Sequence, residues 1–440
     1  MKFNWKALTA AILCLVMVLG LCACGAGSSA NNDGEAQESG SEAVTVSGPI
    51  TIEFWHTRAG EHATLLDEQI KKFNETNGLG ITVVGTYQGS YYDVLSKTKT
   101  AYGTDTAPAM VLVGAGGIEE LAENGALKDM SAYVERDNWD IENIPESLRY
   151  YMEHYENQII EFPYLVSSAV IYYNKDIYSA EPTSLEEFVS MAEEITTNTG
   201  VVGMGISLDT GFIQRPILRS LGAPGLTLGG GDKPALLDDG YLVTHMNDWK
   251  AWIDAGFCAT VDAVDSSTKM KNDFLAGKLA AYVASSASLR DLAKDAEANG
   301  LNMGVAKFVG YGGYCASIGG GGLGILDTAS AQETAAAWEF IKFLFEDEQV
   351  VANAIRTGYL PYTISAGESA EMIAYWNENP NAKVAYDQLE YATYNEWSIY
   401  LEQWRDKIAA AFAFVITDET MTAEQAISFL RTQAEAIFSA

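Results

Sequence analysis

The chain has 440 residues, with 59 Asp and Glu against 27 Lys and Arg, for a formal net charge of -32 at pH 7. That charge repels a phosphate backbone and leaves no polybasic patch for a membrane surface, which excludes nucleic acid as a partner. An apolar content of 48%, with 11% aromatic residues, supplies real cores; the length predicts two or three domains.

In chain order, Lys2 and Lys6 precede an almost wholly apolar run from Ala7 to Leu21, suited to a signal-peptide core and too short to span a bilayer comfortably. Leu21-Cys22-Ala23-Cys24, followed by Gly25, resembles a bacterial lipobox. The resemblance implies cleavage of residues 1–23 and a diacylglycerol on the Cys24 thiol, anchoring the chain at the extracellular face of the cytoplasmic membrane. Residues 24–48, rich in Ser, Gly, Asn, Glu and Ala without an aromatic residue, are expected to be a flexible tether, with order from Pro49.

Ile50 to Trp55 reads as a strand, and Leu66, Ile70 and Phe73 mark one face of a helix across Glu61 to Asn74. Ile81 to Val84 is the next strand, so a βαβ unit and a parallel sheet follow. A helix from Tyr92 to Tyr102 leads to Met110 to Val113, a continuous apolar run typical of a buried central strand. Ala169 to Tyr173 is another strand, and Ser184 with Glu187 reads as a capping box. Leu279 to Val283, a helix from Ser288 to Asn299, the strand Leu323 to Leu326 and a helix capped by Ser330 continue the alternation; from Glu396 the pattern is mostly helical. This is α/β, too long for one sheet, and two lobes are expected.

The chemistry is sparse. His56, His62, His154 and His245 are scattered without the i, i+4 spacing or third ligand of a metal site, so no metal or other cofactor is expected. There is no Gly-x-Ser-x-Gly elbow and no phosphate-binding lysine loop, so nucleophilic catalysis and ATP hydrolysis have no support. Carboxylate pairs are too common among 59 acids to discriminate, which leaves a surface glycoside hydrolase open as an alternative. Cys258 and Cys315 are the mature cysteines beyond Cys24 and fit either one disulfide or two buried thiols. Gly319 to Gly324 matches G-x-G-x-x-G by letters, but a strand follows it, so it predicts close backbone approach to a ligand or another strand. Trp55, Tyr91, Tyr92, Tyr359, Tyr362, Trp397 and Trp404 fall near predicted strand ends, loops or helix starts, where aromatic faces serve either a sugar-binding cleft or a core.

An ordered series of segments resembles the extracellular solute-binding proteins of carbohydrate-type ABC importers. It runs through Phe54-Trp55-His56-Thr57, Gly89-Ser90-Tyr91, Gly103 to Pro108, Tyr172 to Asp176, Phe274 to Lys278, Ala284 to Ser288 and Thr357 to Pro361. The resemblance implies a two-lobed periplasmic-binding-protein-like fold with a hinge and an inter-lobe ligand cleft. It also implies a monomer that binds a small solute and docks on permease subunits served by a separate ATPase. Lobes of 49–160 with 306–358, and 161–305 with 359–440, put the crossings near Ile160, Val305 and Tyr359.

Within the family the chain is most similar to glycerol-3-phosphate-binding members. Their ligand residues carry over to Tyr91, Ser167, Ser285, Gly320 and Tyr359. The family's acidic ligand falls at about Ala115, its tryptophan near Asp209 and its phosphate-pairing arginine near Ser398, so three positions depart. Losing a charge-assisted phosphate partner, together with an Asp in the site, implies a neutral sugar or short oligosaccharide. Arg58 or Arg215 could replace the cation, and a glycerol-3-phosphate or phosphodiester ligand is the alternative. The expected ligand-binding set is Trp55, His56, Arg58, Tyr91, Ser167, Asp209, Ser285, Gly320, Tyr359 and Trp397.

Overall fold

A computed structural model describes residues 43–153, 155–223, 237, 240–259, 266–393 and 400–438. Cys24, His154, Trp397 and Ser398 lie outside the described residues.

The first lobe opens as the periodicity predicts, with β1 (Ile50–His56), α1 (Glu61–Thr76), β2 (Ile81–Tyr87), α2 (Tyr91–Ala101), β3 (Met110–Gly114), α3 (Ala115–Glu123), α4 (Glu146–Glu153) and β4 (Phe162–Ser167). The second lobe holds β5 (Ala169–Asn174), α5 (Leu185–Thr199), β6 (Val202–Gly205), α6 (Tyr241–Asp254), β7 (Cys258–Ala259), β8 (Leu279–Ser285), α7 (Leu289–Ala298) and β9 (Met303–Lys307). The chain then supplies β10 (Gly319–Ile325), α8 (Ala331–Leu344), α9 (Asp347–Thr357), α10 (Ala370–Glu378), α11 (Pro380–Asp387), α12 (Leu401–Ile416) and α13 (Ala423–Phe438).

Two five-stranded sheets result, in the orders β2-β1-β3-β10-β4 and β7-β6-β8-β5-β9. β1 pairs parallel with β2 and β3, as a βαβ unit requires, while β10 runs antiparallel between β3 and β4. Met110 to Val113 on β3 are fully buried, as their apolar run predicts. Ser330 makes a full capping box with Glu333. Ser184 makes half of one: its side chain accepts from Glu187 N, but the Glu187 carboxylate accepts from Thr183 N and Oγ1 instead. Cys258 and Cys315 are buried free thiols.

Sheet membership moves the expected boundaries. The first crossing is at Ser168, between β4 and β5, rather than near Ile160; the second spans 308–318, beyond Val305. Leu360 N still donates to Val166 O in the first lobe, so the third crossing lies past Tyr359, where α11 reaches β9. Residues 43–47 are docked rather than tethering. Val44 and Val46 pack on the first core, Val44 O accepts from Arg136, and Gln332 bonds to Ser47 N and Thr45 O. Two valines in a polar stretch suffice to dock it, partly buried, on the first core.

The crossings are tied together by one buried side chain. Gln388 Oε1 accepts from Phe308 N at 2.9 Å, and its Nε2 donates to Ser168 Oγ at 2.7 Å, joining the first crossing to the second. Ser286 N donates to Ser168 O, and Ser168 N to Ser286 Oγ. Replacing Gln388 with Leu strands a buried N–H and a hydroxyl, and is expected to lower unfolding free energy by about 2–3 kcal/mol in denaturant titrations.

Candidate ligand-binding cleft

A cavity of about 630 Å³ lies between the two sheets, lined from both lobes. Its floor is built around the glycines of β10. A Cβ on Gly320 would overlap the Leu165 carbonyl, and the residue sits at φ +120°, so the strand lies against β4 in a conformation open to glycine. A Cβ on Gly321 would come within 2.6 Å of the Tyr91 ring, and one on Gly322 would fall inside the Glu161 carboxyl, beside a register shift in the β10–β4 ladder. The close approach read from the glycine run is therefore to β4 and to cavity side chains.

Each wall residue is held by its local structure. Tyr91 opens α2 behind a capping box in which Ser90 N donates to Asp93 Oδ2 at 2.8 Å. Ser285 ends β8, its Oγ accepting from Ala287 N. Asp209 caps a π-turn over Thr210–Gln214, accepting from Phe212 N at 2.9 Å and presenting Thr210 and Phe212 to the cavity. His245 on α6 supports that turn from behind, 2.7 Å from Gln214 Oε1. Arg405 and Asp406 enter from α12, and the Arg405 guanidinium lies so close over Gly211 that a Cβ there would be 2.8 Å from its Cζ.

The polar groups sit in a strongly desolvated wall. Burial, and Tyr359 beside it, hold the Tyr91 phenol well above its ordinary range. Burial also raises Tyr359. The Arg58 guanidinium lies 4.9 Å from the Tyr164 ring centroid and 5.9 Å from that of Tyr359, so it supports the cleft tyrosine from behind. Burial pushes Glu161 up to about 8 and His56 down to about 4.

The structure brings Tyr91, Ser167, Asp209, Ser285, Gly320 and Tyr359 to one cavity. Three other expected ligand residues do not reach it. His56 and Arg58 are buried behind the wall, and Trp55 packs on the small apolar cluster around Val111 and Ile118. Arg215 is buried in the second lobe, donating from Nε to Gly211 O. Tyr362 and Trp404 are core residues, and Tyr92 is 78% exposed. Among the described residues no cluster of three His, Cys, Asp or Glu could hold a metal ion. The expectation that the cleft lacks an arginine is overturned by Arg405, seven positions beyond Ser398 in a helical register that sequence spacing alone did not align. Glu161, Phe212 and Asp406 were also missed. Glu161 had one signal, a lone acid inside an apolar stretch from Ile159 to Val166.

A two-lobed α/β fold with an inter-sheet cavity is that of a periplasmic solute receptor. Residues 68–383 match the family described as bacterial extracellular solute-binding protein, and the chain belongs to that family, whose members serve ABC importers. It is 24% identical over 357 residues to the sn-glycerol-3-phosphate-binding periplasmic protein UgpB of Rhizobium meliloti, covering 77% of this chain and 81% of the relative. It is 26% identical over 363 residues to UgpB of Salmonella typhimurium, covering 77% and 80%. Among solved structures, UgpB of Mycobacterium tuberculosis in complex with glycerophosphocholine superimposes with a TM-score of 0.76 at 22% identity, covering 89% of this chain and 99% of that one. The GacH receptor of Streptomyces glaucescens, solved unliganded and with acarbose, superimposes at 0.74 with 20% identity, covering 88% and 98%. These relatives are binding proteins rather than enzymes. Among the described residues no helix is long and apolar enough to cross a membrane.

Proposed function

We propose that this chain is a lipid-anchored receptor, fastened through Cys24, that captures a neutral sugar or short oligosaccharide and delivers it to a membrane permease. The observation that supports a sugar is the make-up of the cavity wall. Hydroxyls of Ser167, Thr210 and Ser285 and the carboxylates of Asp209 and Asp406 surround it, alongside the rings of Tyr91, Phe212 and Tyr359. Carboxylates accept from sugar hydroxyls and rings cover their C–H faces, while two acids against one arginine disfavour an isolated phosphate. A ligand bridging both lobes binds the closed state better than the open one and shifts the population toward it, with the three crossings acting as the hinge.

Arg405 supports a second reading, a glycerophosphate or phosphodiester whose anionic oxygens pair with the guanidinium. The names of the UgpB relatives point the same way. Calorimetry with maltotriose, sn-glycerol 3-phosphate and glycerophosphocholine separates the two. Heat from the sugar alone supports the first reading, and heat from the phosphates alone replaces it with the second. Turnover of the oligosaccharide would instead indicate hydrolysis. Tyr359→Ala removes a ring that lines the cavity and is expected to weaken whichever probe binds by about 10–100-fold. An unchanged Kd would remove Tyr359 from the site. Radiolabelled palmitate incorporation, lost in Cys24→Ala, tests the anchor.

A further inference from the structure

Glu161 immediately precedes β4, lines the cavity, and is only 5% exposed. Its carboxyl occupies the volume that a side chain on Gly322 would need, so the bulged glycine strand makes room for it. No hydrogen bond or ion pair joins it to any described residue, whereas Asp209 and Ser285 in the same wall accept from local backbone N–H groups. A buried acid without a protein partner is costly unless something else meets it. It opens toward the cavity, where the partner it lacks can come only from what the cavity holds.

We infer that Glu161 is a specificity-determining residue of the cleft, a neutral carboxylic acid whose O–H donates to an acceptor oxygen of the bound solute. The inference rests on the proposed capture of a sugar or phosphodiester. An ionised carboxylate only accepts, and would repel the lone pairs of a ring, bridging or phosphate oxygen. The protonated acid donates to such an oxygen. It therefore complements Asp209 and Asp406, which face the same cavity and accept from hydroxyls.

The charge environment agrees. The charged groups on the elements packed against Glu161 are Glu119, Glu120 and Glu123 on α3 and Glu146, Arg149 and Glu153 on α4; β3 and β10 carry none. Asp209, Arg405 and Asp406 face it across the cavity, with the Tyr91 phenol on the same wall. Burial alone raises the acid, to about 8, so the proton stays on at neutral pH.

Two measurements on the full chain test this. Infrared difference spectra of the wild type minus Glu161→Gln are expected to contain the C=O stretch of a protonated acid well below pH 8 and to lose it well above. Absence of that band below pH 8 overturns the inference. Calorimetry with maltotriose, sn-glycerol 3-phosphate and glycerophosphocholine then reads the donor role. For the probe that binds, wild-type affinity is expected to fall about tenfold as pH rises through this range. Glu161→Gln, which keeps an N–H donor but cannot ionise, is expected to hold its affinity across the range. Glu161→Ala is expected to be about tenfold weaker throughout. Equal affinities and identical pH profiles in all three proteins would overturn the inference. Failure of every probe would sink the proposed solute class, and the infrared band alone would then decide for or against a neutral Glu161.

Discussion

Gly320→Ala is expected to lower unfolding free energy by about 3–5 kcal/mol and to abolish solute binding in whatever protein still folds. Two independent costs converge on this residue. Its φ of +120° lies outside what an L side chain adopts, and an added Cβ would overlap the Leu165 carbonyl, a backbone atom that cannot swing aside. Relief requires β10 to move away from β4, which breaks the ladder from Gly319–Ser167 to Leu323–Phe162. Ser167, Gly320 and Gly321 all line the cavity, so the same displacement opens its floor. Gly125→Ala is the comparison. It also has positive φ, at 66°, but open space around its Cβ, so it carries the strain without the clash and is expected to cost about 1 kcal/mol. Thermal or denaturant unfolding of the two variants side by side measures the difference. Equal losses would mean that the close approach to Leu165 contributes nothing.

The contrast between those glycines also marks where sequence reading succeeds. Local periodicity placed β1, α1, β2 and β3, because each buries a face whose spacing is written in consecutive residues. The glycine run announced close approach, since an absent side chain is visible in the sequence; what approaches it is not. Phe162 to Asn174 is nearly continuous in apolar character, yet its first half pairs with β10 in one sheet and its second half with β8 and β9 in the other. Only hydrogen-bond partners reveal that Ser168 is a crossing. Arg405 was hidden for a related reason. Trp404, Ile408, Phe412 and Val415 bury one stripe of α12, and whether the flanking Arg405 and Asp406 meet solvent or a cleft depends on the Asp209–Gln214 turn, almost two hundred residues earlier. Family resemblance carried over five cavity residues, Tyr91, Ser167, Ser285, Gly320 and Tyr359, and its alignment put the departing Asp209 beside them, a grouping that local chemistry alone does not give. His56 and Arg58, which the resemblance does not carry over as ligand residues, stand behind that wall.

Around pH 5 to 5.5 the stability of the protein is expected to rise by about 1.4 kcal/mol per pH unit, the balance of three buried groups. Burial holds His245 down at about 3 and His56 at about 4, so in this window each is neutral when folded and protonated when unfolded. The unfolded state binds one more proton per histidine, and both contributions are lost as pH falls. Glu161 works in the opposite direction. Folded, it keeps its proton up to about 8, while the unfolded acid releases it near 4.5, so its contribution is lost as pH rises. Two protons against one leave a net slope of one. His62, half-buried and lowered less, adds in the direction of the other histidines. His245→Gln is therefore expected to flatten the profile, and Glu161→Gln to double it to about 2.7 kcal/mol per pH unit. Urea titrations across the window measure all three slopes. His245 has a functional consequence as well, because its ring, set between the Tyr311 hydroxyl and Gln214 Oε1, anchors the turn that presents Asp209, Thr210 and Phe212 to the cavity. Protonating it in place would charge the support of the cleft wall, so acid should loosen solute binding before it unfolds the lobes. A profile that His245→Gln leaves unaltered would show that this ring is already charged, and the proton balance would have to be assigned to other groups.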